Sequence, residues 1–297
     1  MQFAAFGLMW RCVDGRATWG EIALPSSDVP VGAGEVVIEA GSLRSSDADW
    51  LPGLSYPERG QAVFSVPGIA QFFIRHNAIT VHKLEGADPQ AVQAYLLGSA
   101  VGAVLHMRGV LPLHGSAVRQ PDGGAAVFCG ESGAGKSTTL TALAQRGVPC
   151  VADDVSAIQF DEQGQAWVYP GLARAKLWGH ALAKLGLPPV QQILPDMDKY
   201  YVDLPVCSEP LRLSSLYELV TQQGGAVRAE PIAGTRRITT LLKHTYRPTV
   251  VSTLGLQADY MTRVNSLAPQ LQMTRIVRPL DEPTLHDVVD LVMQGWA

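Results

Sequence analysis

Residues 130–137 read Gly-Glu-Ser-Gly-Ala-Gly-Lys-Ser, directly after the apolar run Ala125–Cys129 and directly before a helical pattern from Lys136 to about Arg146. The spacing G-x-x-x-x-G-K-S constrains this chain more than any other feature. It asks for a strand, a tight glycine-rich loop and a helix, in that order. The glycines let the loop curl so that successive backbone N–H groups converge on phosphate oxygens. The helix that follows turns its positive end toward the same anion. Gly130, Glu131, Ser132, Gly133, Ala134, Gly135, Lys136, Ser137 and Thr138 are therefore the expected nucleotide contacts. Lys136 would reach the β- and γ-phosphates and Ser137 would offer a hydroxyl to Mg²⁺, so ATP and Mg²⁺ are the expected cofactors. A dinucleotide-binding reading fails, because no G-x-G-x-x-G follows the strand and the Lys-Ser pair would have no role.

Asp153 and Asp154 close the apolar segment VPCVA. A carboxylate at the end of a strand facing such a loop holds Mg²⁺ directly or through water. Asp154 lies 17 residues after Ser137, the length of one helix and one strand, which returns the pair to the phosphates. Adjacent residues on an extended segment point to opposite faces, so both carboxylates serve one site only if the backbone turns there. Ser137 and Asp153 are the candidate metal ligands. His114-Gly115 precedes the strand-turn-strand segment that leads into the loop, and the residues alone leave His114 open between a structural and a catalytic histidine. In 170–178, Pro-Gly-Leu-Ala-Arg-Ala-Lys-Leu-Trp, Arg174 and Lys176 alternate along an extended segment and face one side. They are candidate substrate contacts, or else surface charges beside Trp178.

The rest of the chain sets bounds. Its 297 residues carry 23 basic and 27 acidic side chains, a net charge of -4, which argues against a nucleic-acid binder. Apolar residues make up 47% and charged residues 17%, enough to bury a core and inconsistent with global disorder. The four cysteines show no zinc-ligand spacing and are expected as buried thiols in a reducing compartment. The longest apolar run, 94–107, is broken by Gly98, Ser99, Gly102 and His106 and is too short for a membrane span. The expected setting is cytoplasmic, without membrane or nucleic-acid partners. Oligomeric state is left open, a homo-oligomer included.

Two regions are expected. Residues 1–108 form a β-rich accessory region, with a strand at 35–39, a meander over 61–83 and a buried helix from Asp88-Pro89 to about Met107. Residues 109–297 form the loop-bearing domain, with helices at 178–187, 235–245 and 282–293 and a strand at 272–277. Residues 1–60 carry few clear signals. The Pro-rich stretch 188–210 is expected to be a loop, either one that orders over a substrate or an ordinary surface connection.

His114-Gly115, GESGAGKS, Arg146-Gly147 and Val151-Ala152-Asp153-Asp154-Val155 resemble, in order and spacing, the catalytic domain of bacterial HPr kinase/phosphorylases. The resemblance covers about residues 110–160. It implies an α/β fold with a P-loop in a mixed sheet, related to phosphoenolpyruvate carboxykinase. It implies that Asp154 takes the proton of the acceptor hydroxyl, that His114 assists, that Lys136 contacts the transferring phosphoryl group and that Ser137 binds Mg²⁺. The family's later Mg²⁺-binding Glu and glycine-rich signature have no counterpart, and Pro170–Trp178 stands in their place. The chain therefore looks more like the shortened HPr-kinase-like proteins of peptide-modification clusters, some of which phosphorylate a Ser of a ribosomal precursor such as a lasso-peptide precursor. The expected function is a Mg-ATP-dependent kinase acting on a Ser of a peptide or small protein. The alternatives are an ATP-binding regulatory module with weak hydrolysis, or a small-molecule kinase.

Overall fold

The computed structural model describes residues 1–13, 16–20, 34–42, 52–56, 60–172, 174–194, 197–280 and 282–296. The N-terminal half contains β1 (Gln2–Ala5), β2 (Leu8–Val13), α1 (Arg16–Trp19), β3 (Glu35–Ala40), β4 (Gly53–Ser55), β5 (Gln61–Val66), β6 (Ala70–Arg75) and β7 (Ala78–Lys83). These strands form one sheet in the order β1-β2-β3-β7-β6-β5-β4. Strands β5, β6 and β7 are the expected antiparallel meander, whereas β3 lies parallel to both β2 and β7. The alternating burial of β2 explains its place: Leu8, Trp10 and Cys12 point into the core.

Helices α2 (Pro89–Tyr95) and α3 (Val101–Met107) are joined by a π-helical turn at Leu96–Ala100. Asp88 caps α2, its carboxylate accepting from the Gln90 N–H at 2.9 Å, and Pro89 occupies the first turn, where its missing N–H costs nothing. Val92, Leu96, Ala100, Val104 and Leu105 are fully covered, which explains an apolar pattern on nearly every side. The same core takes in Val155, Ala157, Tyr246 and Val250, so the N-terminal sheet packs directly on the C-terminal half.

That half runs β8 (Leu111–Arg119), β9 (Ala125–Gly130), α4 (Lys136–Gln145), β10 (Cys150–Ala152), β11 (Val155–Phe160), β12 (Ala166–Tyr169), β13 (Arg174–Trp178), α5 (Gly179–Leu185), β14 (Gln191–Leu194), β15 (Met197–Asp203), β16 (Leu211–Gln222), β17 (Arg228–Pro231), α6 (Arg236–Lys243), α7 (Pro248–Thr253), α8 (Gln257–Leu267), β18 (Gln272–Pro279) and α9 (Leu285–Gln294). Its main sheet is mixed: β16 runs parallel to β9 and β18, and β8 runs antiparallel to β9, β10 and β11. The pairings β8–β11–β12–β16–β9–β8 close into a ring. Helices α4 and α9 cover one side, and α6 and α8 the other. The protein is thus mixed α/β with a β-rich N-terminal region.

One expectation differs from the structure. Residues 188–210 do not form a long loop. They carry β14 and β15, which pair with each other and with β13 in a three-stranded sheet, with Ile193 and Val202 buried beneath. Pro188, Pro189, Pro205 and Pro210 lie outside these strands, where no ladder N–H is needed. The central strand β16, 12 residues long, is buried on both faces over its middle, 215–219, where no period-two alternation marks it in the sequence. Among the described residues no helix is long and apolar enough to cross a membrane, and the four cysteines are buried and unpaired.

Candidate active site

Loop 130–135 joins β9 to α4, and Lys136 and Ser137 open the helix. Gly130 sits against the neighbouring strand: a Cβ there would lie 2.7 Å from the Leu219 carbonyl O and 2.9 Å from the Ala134 Cβ. Gly135 starts α4 at φ +103°, a conformation that side chains disfavour. The first N–H groups of α4 have no intrahelical acceptor, so this helix start can serve an anion. Lys136 is buried, and its Nζ folds back to donate to the carbonyls of Gly130 at 2.9 Å and Glu131 at 3.1 Å. Burial lowers its pKa. Among the described residues no carboxylate pairs with it, so this ammonium has no counter-anion of its own. Glu131, Ser132 and Gly133 are exposed and Thr138 is half-buried on the first turn.

The backbone does turn at the aspartate pair. Asp154 lies at φ +70°, and the pairing of β10 with β8 shifts register between Cys150 and Ala152. Aspartate tolerates this left-handed region better than most residues. The two carboxylates consequently serve one site. Asp153 is buried and accepts through Oδ1 from Ser116 Oγ at 2.6 Å and Ser137 Oγ at 2.9 Å, and through Oδ2 from the Lys176 N–H at 2.8 Å. Asp154 Oδ2 accepts from Lys176 Nζ at 2.8 Å. Burial alone would raise the Asp154 carboxyl, but the Lys176 ammonium outweighs it and, with His114, holds the group below the usual carboxylate range. In return, burial disfavours the Lys176 ammonium and the Asp154 carboxylate overcomes this, raising it above an ordinary lysine.

His114-Gly115 marks the point where β8 changes partner. His114 pairs with Val155 of β11 and Gly115 with Cys129 of β9. The His114 side chain therefore projects at the seam beside Asp154. Its Nδ1 lies 3.1 Å from the Asp154 carbonyl O and 3.5 Å from Oδ1. A carbonyl only accepts, so Nδ1 carries the proton and Nε2 holds the free lone pair. Burial, and then Lys136, lower the His114 pKa, which favours the neutral ring. Its ring packs at 5.9 Å from that of Tyr246.

Arg174 and Lys176 both line a cleft with Asp153, Asp154 and Tyr201, and Phe6 of the β1–β2 turn closes its N-terminal side. Of the residues singled out from sequence, His114, Lys136, Ser137, Asp153, Asp154, Arg174 and Lys176 thus lie together at this end of the sheet.

Three further contributors are not singled out by the sequence. Ser116 lies two residues after His114, where the alternation along β8 sends it to Asp153. Arg278 of β18 donates through Nη2 to the Ala134 carbonyl O at 3.1 Å and pins the loop from outside. Glu218 of β16, wholly buried, accepts from His244 Nε2 at 3.1 Å and from Arg275 Nη2 at 2.8 Å, with Lys243 Nζ at 3.5 Å. Burial would raise its carboxyl, and His244 and Arg275 bring it down to about 2. Lys243 also reaches Glu131 of the loop at 3.3 Å. A lone Glu in LYELV was the available signal.

The donor set fits Mg²⁺ and a phosphate chain. Asp153 and Ser137 place hard oxygens side by side, and Lys136 and the α4 N-terminus offer cationic and N–H donors next to them. No family profile matches the sequence, and no curated protein matches it. Among solved structures, the chain is similar to the Hpr(Ser) kinase/phosphatase from Coxiella burnetii at a TM-score of 0.29 and 14% identity, over 62% of this chain and 91% of that one.

Proposed function

We propose that this chain is an ATP-dependent kinase that transfers the γ-phosphoryl group to a hydroxyl, a Ser of a peptide or small protein. One observation carries the reading: the turn at Asp154 directs two consecutive carboxylates to one site, Asp153 onto the Ser137 hydroxyl of the phosphate-binding loop and Asp154 into the adjoining cleft. A nucleotide-binding module without an acceptor has no need of the second carboxylate.

In this reading Ser137 and Asp153 hold Mg²⁺, which when bound offsets charge on the phosphate oxygens. Lys136 releases the carbonyls of Gly130 and Glu131 and binds β- and γ-phosphate oxygens. Asp154 accepts a hydrogen bond from the acceptor hydroxyl and takes its proton. The low pKa of Asp154 suits this role, since phosphoryl transfer is loose and asks more for positioning than for a strong base. His114 keeps the Asp154 backbone in place through Nδ1, with Nε2 free to receive a proton. Arg174 and Lys176 face the acceptor. Residues 109–297 then correspond to an HPr-kinase/phosphoenolpyruvate-carboxykinase-like P-loop domain, and 1–108 to an accessory region.

Incubation with γ-labelled ATP, Mg²⁺ and a library of Ser-containing peptides tests the reading. Labelled phosphoserine is the expected product. Binding and slow hydrolysis of ATP with no labelled peptide would leave the regulatory-module reading in its place.

A further inference from the structure

The register of β13 with β15 sets Arg174 opposite Asp203, Lys176 opposite Tyr201 and Trp178 opposite Lys199. Residues opposite one another, and those two apart on a strand, share a face of the sheet. One face therefore carries Leu177 and Val202, buried against α5, and Ala175, buried in the cluster that includes α4. The other carries Arg174, Lys176 and Lys199 with two aromatic rings, and Lys176 directs this face to Asp154. Of the three cations only Lys176 is neutralised. Among the described residues Arg174 and Lys199 have no carboxylate within ion-pair distance. Arg174 lies 5.4 Å over the Tyr201 ring, and Lys199 lies 5.5 Å over Trp178, itself 40% exposed. Asp203, the one acid on this face among the described residues, stands opposite Arg174 without pairing with it.

We propose that this face is a docking surface for an extended acidic peptide, which sets one carboxylate on Arg174 and a second on Lys199, either side of the acceptor hydroxyl. This rests on the kinase reading above. The spacing supports it. Arg174 and Trp178, which marks the position of Lys199, are four residues apart on one strand, roughly 13 Å at ~3.3 Å per residue. In an extended peptide, side chains two residues before and two after a Ser span the same roughly 13 Å on the hydroxyl's own side. The paired Lys176 and Asp154 lie between the two free cations, where the hydroxyl would sit. The rings under Arg174 and Lys199 hold both cations without neutralising them. An acidic peptide is favoured over nucleic acid because the chain as a whole is acidic, net -4, and the positive strip is local.

The test is binding of fluorescein-labelled peptides of about nine residues to the full-length protein, read by anisotropy. Each peptide has a central Ser, with Asp, Asn or Lys two positions before and after it. The Asp peptide should bind about tenfold more tightly than the Asn peptide and release as salt rises. Arg174→Glu with Lys199→Glu should reverse the order, favouring the Lys peptide, with circular dichroism unchanged. Equal binding of the three peptides would overturn the proposal. So would tighter binding of single-stranded DNA than of the Asp peptide, or a Lys199→Ala variant that loses affinity for a fluorescent ATP analogue but not for the peptide. Tight binding of the Asp peptide without phosphate transfer would uphold the docking surface and defeat the kinase reading.

Discussion

Lys176 Nζ donates to Asp154 Oδ2 at 2.8 Å, while the backbone N–H of the same Lys176 donates to Asp153 Oδ2 at 2.8 Å. One strand residue thus orders both members of the aspartate pair. Replacing Lys176 with Met keeps the backbone contact and removes the ammonium. We expect stability to fall by about 2 kcal/mol and the Asp154 carboxyl to rise, so that the acid limb of the activity profile moves to higher pH. Chemical denaturation and a pH–rate profile measure both.

Asp153 and Asp154 should respond differently to isosteric change. Asp154→Asn should lower turnover by about 10²–10⁴-fold with ATP affinity nearly unchanged. Asp153→Asn should raise the Mg²⁺ concentration needed for half-maximal rate, since Asp153 and not Asp154 touches Ser137. Metal titrations of the two variants separate the roles, and identical titration curves would contradict the division.

Lys136→Ala should lower transfer by about 10²–10³-fold and weaken ATP binding. The circular dichroism spectrum should stay unchanged, because among the described residues the ammonium bonds to two loop carbonyls that water can satisfy. Transfer at the wild-type rate would remove the loop from the mechanism.

Glu218→Gln should destabilise the fold by about 3 kcal/mol, since it leaves His244 and Arg275 facing a neutral group in a buried position. Glu218 also binds Lys243, which reaches Glu131, so ATP affinity should fall with it. Thermal melts and nucleotide titration report the two effects. Unchanged melting would show that the network carries no net stability.

Acid should unfold the protein in two stages. Burial lowers the His106 and His114 pKa values, so the unfolded chain takes up those protons first and stability falls once pH drops below about 6.5. Asp154 and Glu218 are depressed, so their contribution is full above the ordinary carboxylate range and is lost as pH falls through their folded values, for Glu218 about 2. Urea midpoints between about pH 3 and 8 should show both declines, and Glu218→Gln should blunt the more acidic one.

Short-range patterns along the chain were enough to specify the local units. The strand, loop and helix around 130–137 follow from the apolar run, the glycines and the helix-start geometry, all set within a few residues. The cap at Asp88-Pro89 and the meander β5–β7 were legible for the same reason. The candidate residues His114, Lys136, Ser137, Asp153 and Asp154 stood out because each lies in or beside a short run with a strong local pattern. What only the tertiary structure decided depends on long-range pairing. The central strand β16 is covered on both faces over 215–219, so those residues show no period to read. The stretch 188–210 became strands because β13 offered it a partner edge. Ser116, Glu218 and Arg278 reach the site across 37, 26 and 144 residues of chain respectively, counted to their partners Asp153, His244 and Ala134. The positive φ of Asp154 is also a tertiary outcome: β10 and β11 must both pair with β8, and that register forces the turn that brings two adjacent carboxylates to one site.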